Sequence, residues 1–281
     1  MTDDATDALD RAGESATRYT RVAIDRRWNP ATIDLERDAE AVAELDRIEF
    51  TRLRGLLAQF GAGEQAVTED LAPLAVVVEE PADQRFVATQ LYDEAVHAEF
   101  FDRYWERVIR PAERTRGLGE SDPTDDRWHA PAYRELFDRT ERAMTRLLER
   151  DGPETRARAY CHYHLTVEGT LALTAYDWIR ERYGGETAGV PALSGLLEGV
   201  ENVRRDEGRH VGFGCLCVRD LLESGAVEPG LVRQALADLL EPVEATIAEM
   251  ATDDARPALL ERVEDAHEAR LAQVGLDPQA R

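Results

Sequence analysis

The stretch Asp206-Glu207-Gly208-Arg209-His210 decides the fold, because the same pattern occurs earlier in the chain as Asp93-Glu94-Ala95-Val96-His97. In a helix, residues i and i+3 lie on one face, so each Glu-x-x-His directs a carboxylate and an imidazole the same way. A metal ion requires convergent donors of this kind. Each copy also has a further glutamate upstream, at Glu64 and at Glu168.

The spacing of these glutamates predicts two matched helical hairpins. About 15 residues separate Glu64 from the helix breaker at 79–81, and about 13 lead back to Glu94. At ~1.5 Å per residue, both glutamates then lie ~20 Å from the hairpin tip. Glu168 and Glu207 are each about 16 residues from the breaker at 184–191. The sequence therefore predicts an all-α protein, a four-helix bundle with additional helices, whose core holds the ligands of two metal ions. The six predicted ligands are Glu64, Glu94, His97, Glu168, Glu207 and His210.

A single Glu-x-x-His also arises by chance on a salt-bridged surface helix. Two copies, each matched to a glutamate at equal depth, favour the metal site. Mixed oxygen and nitrogen donors favour iron or manganese over zinc, and two divalent ions would balance four buried carboxylates. Asp93 and Asp206 are predicted acceptors for the imidazole N–H groups across the pseudo-two-fold axis. The alternative is that both aspartates face solvent.

The composition limits the classes of partner. The chain of 281 residues is long enough for one large domain or two small ones, and its net charge is -23. It contains no lysine, so all 34 basic residues are arginine. Such an acid excess disfavours nucleic acid and anionic membrane surfaces. The composition resembles that of halophile proteins, although a GC-rich genome would also explain arginine in place of lysine.

The pattern of cysteines and apolar residues predicts a cytoplasmic location. Cys161, Cys215 and Cys217 lie in apolar helical stretches without zinc-type spacing, which is typical of buried thiols in a reducing compartment. The first ten residues are acidic and have no apolar signal segment. The longest apolar run, 71–78, is too short for a membrane span.

Breakers and apolar periodicity divide the chain. We expect residues 1–30 to form a mobile N-terminal arm that docks near Trp28, and residues 31–281 to form a single di-metal domain. No stretch alternates with period two, so no sheet is expected. The helices are expected at about 31–60, 64–78 with Pro73 inside, 84–110 with a stop at Pro111, 133–150, 153–183, 192–224, 230–250 and 255–272.

Four segments carry a family resemblance. GEQAVTEDLAPL, DEAVHAEFF, YHLTVEGTLALTAY and DEGRHVGFG resemble the ligand-binding oxidases that are related to the ribonucleotide reductase small subunit, within the ferritin-like di-metal superfamily. The similarity covers about residues 55–220. It implies manganese in the first site, iron in the second, and a long-chain fatty acid that bridges the metals through its carboxylate. It also implies activation of O2, an ether link between a valine and a tyrosine, and a homodimer.

The resemblance matches the linked residues to Val67 and Tyr163. Val67 follows Glu64 by three positions and shares its face. Tyr163 precedes Glu168 by five, an offset of ~140° in an ideal helix, so it needs a π-bulge or a neighbouring helix to reach the site. Without the resemblance, the sequence pattern would indicate that Tyr163 is a core tyrosine. Tyr176 matches a tyrosine close to the metals in the family, with simple packing as the alternative.

Two other functions stay open on the sequence. One is a ribonucleotide reductase small subunit, which places its radical tyrosine where this chain has Phe101 and uses a tyrosine near the C-terminus. No tyrosine follows Tyr183. The other is a non-catalytic metal- or lipid-binding protein. We expect His162 and His164 to be structural or to support the ligands without binding the metals. The candidates for lining a ligand tunnel, with simple core packing as the alternative, are Leu165, Val167, Leu171, Leu173 and Val211.

Overall fold

The computed structural model describes residues 15–279, and every regular element in that range is helical. The predicted all-α class, a ferritin-like bundle with additional helices, is confirmed. Four long helices form its centre. Three of them are α3 (Arg47–Asp70), α5 (Pro81–Tyr104) and α10 (Ser194–Glu223). The fourth is a composite helix that consists of α8 (Pro153–Tyr160), a π-helical segment (Cys161–Ala172) and α9 (Leu173–Tyr183).

The central helices form two antiparallel pairs. In the first pair, Phe60 stacks on Phe101 with 5.5 Å between ring centroids, and Glu64 faces His97 at 3.5 Å. In the second pair, Asp177 contacts Arg204 at 2.9 Å near the far end of α9. The predicted hairpins are therefore present, with the glutamates at matching depth.

The N-terminal segment is partly helical. Residues 15–25 form a helix, α1, with Ala16 and Ala23 fully buried. Trp28 follows it and packs against His97 and Phe100, as expected for a docking residue. The division into an arm of residues 1–30 and one domain of residues 31–281 stays a prediction, and residues 1–14 lie outside the described part. The helix over residues 15–25 was not predicted from the polar composition.

Helix α3 differs from the prediction at both ends. The expected helix over 31–60 is a short 3-10 turn (Pro30–Thr32), then α2 (Glu36–Glu44), then α3, which the carboxylate of Asp46 caps. Gly61 and Gly63 do not end α3, because both are buried against neighbouring residues and the packing outweighs the low helix propensity of glycine. The break falls at Leu71 instead, and Pro73 lies in the first turn of α4 (Ala72–Val77).

Pro111 does not stop the helix that contains the first Glu-x-x-His. Helix α5 continues through a π-helical turn (Trp105–Ile109) into α6 (Arg110–Thr115), and Pro111 lies in the first turn of α6. A wider turn before the proline relieves the clash between its ring and the preceding carbonyl groups. The prediction of a stop at this position was wrong.

The remaining helices surround the bundle. Between α6 and the helix that begins at Pro131, a loop contains a 3-10 turn (Asp126–Trp128). The expected helix over 230–250 is two helices, because the chain turns at Asp238 and Leu239. No helix between residues 15 and 279 has the length and apolar character that a membrane crossing requires. The outer helices are α7 (Pro131–Glu149), α11 (Pro229–Ala237), α12 (Leu240–Met250) and α13 (Arg256–Gln273).

Candidate metal centre

The four central helices bring all six predicted ligand side chains together in the core. Their donor atoms form two overlapping groups, and within each group the atoms lie within 4.8 Å of one another. Every one of the six residues is buried. The first group is Glu64, Glu94, His97 and Glu207; the second is Glu94, Glu168, Glu207 and His210.

Glu94 and Glu207 belong to both groups, and each directs one oxygen toward each histidine. Glu94 Oε2 lies 3.3 Å from His97 Nδ1, while its Oε1 lies 3.2 Å from His210 Nδ1. Glu207 Oε1 lies 3.6 Å from His97 Nδ1, and its Oε2 lies 3.3 Å from His210 Nδ1. A carboxylate with its two oxygens directed at neighbouring centres is able to bridge two metal ions. The imidazole ring centroids of His97 and His210 are 6.1 Å apart.

Several of the atoms that could bind a metal ion are buried and have no hydrogen-bond partner. They are Glu64 Oε2, Glu94 Oε2, Glu168 Oε2 and His97 Nδ1. Buried polar atoms are almost always satisfied, so four unsatisfied atoms that converge on one place indicate that a further group belongs there. Their oxygen and imidazole chemistry fits two divalent ions of the manganese and iron type.

The electrostatics of the cluster lead to the same conclusion. Burial and the nearby Glu94 raise the pKa of Glu207 to about 7, and burial together with Glu207 holds the pKa of Glu168 well above its ordinary value. Burial lowers the pKa of His97, but Asp206 and Glu64 outweigh it and leave that pKa well above the usual range. Without metal ions, the cluster therefore holds protons to reduce the repulsion among its carboxylates. Divalent ions would take the place of these protons.

An outer layer of hydrogen bonds orients both histidines. His97 Nε2 lies 3.4 Å from Asp206 Oδ2, and His210 Nε2 lies 3.3 Å from Asp93 Oδ2, so each aspartate serves the histidine of the other pair. Carboxylates only accept, so Nε2 carries the hydrogen and a neutral ring offers Nδ1 to the metal. Arg209 pairs with both aspartates, at 3.0 and 2.7 Å. The arrangement across the pseudo-two-fold axis matches the prediction for Asp93 and Asp206.

Trp28 extends this layer outward. Its indole nitrogen donates to Asp206 Oδ2 at 2.8 Å, and its ring lies 6.3 Å from that of His97. Sequence reasoning assigned Trp28 a docking role only. A tryptophan just after a polar segment carries no signal that would connect it to an aspartate far along the chain.

Tyr163 reaches the cluster because the composite helix is π-helical over Cys161–Ala172. Its hydroxyl lies 3.0 Å from the backbone oxygen of Val67 and 3.4 Å from Glu94 Oε1. The π geometry reduces the angular offset from Glu168 that an ideal α-helix would impose, because five residues then span little more than one turn. A side chain at Gly214 would place its Cβ 2.4 Å from that of His164, so this glycine lets α10 approach the π segment closely.

Tyr176 contacts the cluster from the same composite helix. Its hydroxyl donates to Glu64 Oε1 at 2.5 Å, and its ring stacks on Phe60. Val67 and Tyr176 both border a small apolar cavity. The three residues singled out beside the ligands, Val67, Tyr163 and Tyr176, thus all lie next to the candidate centre.

Gln90 is a member of the site that the sequence analysis missed. Its side-chain nitrogen donates to Glu168 Oε1 at 2.9 Å and to Glu94 Oε1 at 3.3 Å, and its oxygen lies 3.1 Å from His164 Nε2. Both carboxylates need donors, so the amide oxygen is left to accept from His164. His164 therefore supports the ligand carboxylates through Gln90, which agrees with the expected structural or supporting role. The missed signal was the spacing, because Gln90 precedes Glu94 by four residues and shares its face.

A small apolar cavity adjoins the carboxylates. It has a volume of about 50 Å³ and touches Glu64, Glu168 and Glu207. Val167 and Leu171 line it, as the tunnel hypothesis proposed, whereas Leu165, Leu173 and Val211 do not. Its lining also includes Phe137 and Met250, which are both half-buried.

Comparison with known proteins decides the family. No protein-family model matches the chain. Among solved structures, a valine-to-isoleucine variant of an R2-like ligand-binding oxidase with an anaerobically reconstituted Mn/Fe cofactor is 30% identical, with 92% of each chain covered and a TM-score of 0.82. The chain belongs to the R2-like ligand-binding oxidases.

Two further R2-like ligand-binding oxidases match over almost the whole chain. A valine-to-leucine variant with an anaerobically reconstituted Mn/Fe cofactor is 28% identical over 94% of each chain, with a TM-score of 0.82. A glycine-to-leucine variant with a non-activated Mn/Mn cofactor is 29% identical, with 94% of this chain and 93% of that one covered and a TM-score of 0.81. The protein is accordingly an oxidoreductase of the R2-like type.

Proposed function

We propose that this R2-like ligand-binding oxidase uses O2 at a Mn/Fe centre and holds a long-chain fatty acid or a similar apolar carboxylate beside the metals. The observation that carries the proposal is the pair of donor groups that share Glu94 and Glu207. Glu64 and His97 complete the first site, and Glu168 and His210 complete the second. Two metal ions held by these six residues would satisfy the unpartnered atoms of the cluster.

The assignment of manganese to the first site and iron to the second follows the family. Related structures carry Mn/Fe, and one variant carries Mn/Mn. The donors suit both elements, because each site offers carboxylates and one imidazole. When bound, the metals would supply the electrons and the Lewis acidity that O2 reduction requires.

The position and lining of the cavity support the proposed ligand. An apolar cavity that ends at three carboxylate-bearing residues suits a molecule with an apolar chain and an acidic head. At about 50 Å³ the cavity is smaller than a long acyl chain, so binding requires side chains to move. Met250 and Phe137 line the cavity, and the methionine side chain adapts its shape readily.

We further propose an ether link between Val67 and Tyr163 as a product of the centre. A C–H bond of the Val67 side chain and the O–H bond of Tyr163 break, and a C–O bond forms. Two protons and two electrons leave, and O2 accepts the electrons. Tyr163 is suitably placed because its hydroxyl lies 3.0 Å from the Val67 backbone oxygen and 3.4 Å from a carboxylate oxygen of Glu94, which is able to take its proton.

Peptide mapping after aerobic loading with manganese and iron tests this proposal. The expected product is a linked peptide pair that lacks two hydrogen atoms, in protein that carries two metal ions per chain. Tyr163→Phe should abolish the link. Tyr133→Phe is the matched control, since Tyr133 also donates to a backbone oxygen of α3, that of Gln59 at 2.7 Å, but lies outside the ligand cluster.

The metal assignment and the link are separable outcomes. Unlinked peptides in protein with both metals bound would disprove the link alone. Glu207→Ala should lower the metal content, since Glu207 belongs to both groups. Retention of two metals by this variant would contradict the ligand set, and organic extraction of the native protein should recover an apolar carboxylate if the ligand assignment is right.

A further inference from the structure

The two glutamates that belong to one donor group each, Glu64 and Glu168, meet different hydrogen-bond donors. In both residues Oε2 is buried without a partner, while Oε1 accepts a hydrogen bond from a side chain of another helix. The donor to Glu64 is the hydroxyl of Tyr176, at 2.5 Å. The donor to Glu168 is the side-chain nitrogen of Gln90, at 2.9 Å. The two sites are therefore matched in their ligands but not in the groups that support these ligands.

Gln90 also reaches a second carboxylate of the same site. Its side-chain nitrogen lies 3.3 Å from Glu94 Oε1, which is the oxygen of Glu94 that faces His210. An amide nitrogen carries two hydrogens, so it is able to donate to Glu168 and to Glu94 at the same time. Gln90 therefore holds together two carboxylates that would otherwise repel each other, and it leaves Glu168 Oε2 free for a metal ion.

The first site has no matching support. Among residues 15–279, no donor outside the six ligands bonds two carboxylates of that site. Tyr176 has a single hydrogen to donate and bonds Glu64 alone. The carboxylates of the second site are thus held by a further protein group before an ion binds, and those of the first site are not.

His164 fixes the orientation of the Gln90 amide. Gln90 is fully buried, and its side-chain oxygen lies 3.1 Å from His164 Nε2. The imidazole has little room to move, because the Tyr163 ring lies 4.9 Å away and a Cβ at Gly214 would lie only 2.4 Å from that of His164. A flipped amide would turn its oxygen toward the carboxylates. The bond to His164 therefore keeps the N–H groups on the side of the ligands.

We propose that Gln90, oriented by His164, is a positioning residue that prepares the second site for its metal ion and raises the affinity of that site. The proposal rests on the proposed Mn/Fe centre and goes beyond it, because it makes two sites with similar ligands unequal. Groups that orient metal ligands typically contribute about 10- to 100-fold to metal affinity. Carboxylates that are already in place also lose less conformational freedom when the ion binds.

Manganese titration of metal-free protein against a chelator tests the proposal, with anomalous X-ray diffraction to show which site each ion occupies. Gln90→Met keeps the length of the side chain but removes its N–H groups. It should weaken manganese binding about 10- to 100-fold at the second site and change the first site by no more than about twofold. His164→Phe should weaken the second site by up to about tenfold, because the amide loses its anchor.

Tyr104→Phe is the matched control. Tyr104 is also fully buried in α5, and its hydroxyl donates to Asp38 at 3.0 Å, outside the ligand cluster. Loss of this bond should leave the manganese affinity of both sites unchanged, and circular dichroism should show that every variant is folded. Equal losses at the two sites in Gln90→Met would indicate general destabilisation and overturn the proposal.

An unchanged second site in both Gln90→Met and His164→Phe would also overturn the role of Gln90. These outcomes leave the metal centre intact if the unmodified protein binds two manganese ions. Failure of the unmodified protein to bind two ions would instead contradict the metal centre itself, and this proposal with it.

Discussion

The hydroxyl of Tyr163 lies 3.0 Å from the backbone oxygen of Val67, and these residues come from opposite hairpins of the bundle. The contact depends on the π-helical segment, which turns Tyr163 toward the carboxylates and away from the outer helices. It also couples local backbone geometry to the chemistry proposed for the centre, since the same tyrosine is 3.4 Å from Glu94.

Loss of this hydroxyl should cost stability even without metals. Tyr163→Phe leaves the buried Val67 oxygen without a side-chain donor, which we expect to lower the free energy of unfolding by about 1 kcal/mol. Urea denaturation of the metal-free protein measures this free energy of unfolding. Tyr133→Phe should cost a similar amount, because its bond to Gln59 is of the same kind. A much larger loss for Tyr163→Phe would mean that the hydroxyl organises more of the site than this one bond.

Asp206→Asn should weaken metal binding at the first site. Burial raises the pKa of Asp206, but His97 and Arg209 lower it to about 2, so the carboxylate is charged at neutral pH and supports His97. Replacement by an amide should reduce metal affinity about 10- to 100-fold, measured by competition with a chelator. Asp177→Asn, at a partly exposed ion pair with Arg204, is the control and should leave affinity unchanged. Equal affinity in Asp206→Asn would show that His97 needs no charged partner.

Gln90→Leu should destabilise the metal-free protein. The change removes the donor to Glu168 and Glu94 and the acceptor for His164, which leaves several buried polar groups unsatisfied. We expect a loss of about 3 kcal/mol in the free energy of unfolding. Gln84→Leu, on the same helix, breaks one half-buried bond to Val78 and should cost about 1 kcal/mol or less. Similar losses in the two variants would contradict the role assigned to Gln90.

Asp70→Asn should stabilise the protein at pH 8 but not at pH 3. Burial raises the pKa of Asp70 from 3.8 to about 7, and Glu141 and Glu69 add to the shift. The folded state therefore keeps a proton that the unfolded state releases, so stability falls as pH rises from about 4 to 7 and is level above that range. Because the carboxylate is partly solvated, we expect Asp70→Asn to raise the free energy of unfolding by only about 1 kcal/mol at pH 8. Thermal unfolding of both proteins across this pH range measures the difference in stability. An equal gain at pH 3 and pH 8 would contradict a raised pKa of Asp70.

The sequence by itself determined the bundle and the convergence of the six donors. Two Glu-x-x-His motifs, each matched in depth to Glu64 or Glu168, leave few other arrangements, because helical spacing fixes which side chains share a face. The crossed pairing of Asp93 and Asp206 was also predicted from that geometry. The π-helical route of Tyr163 to the site was one of two alternatives, and both depended on the family resemblance. The homodimer and the cytoplasmic location stay predictions.

Only the tertiary structure decided where several helices end and what surrounds the donors. Gly61 and Gly63 are unfavourable within a helix, yet contacts with neighbouring residues outweigh a local cost of about 1 kcal/mol per glycine. Pro111 is accommodated by the π-helical turn that precedes it. The links from Gln90 to His164 and from Trp28 to Asp206 join residues far apart in the chain. Local patterns cannot specify such pairs, because their partners are chosen by packing between helices rather than by spacing within one.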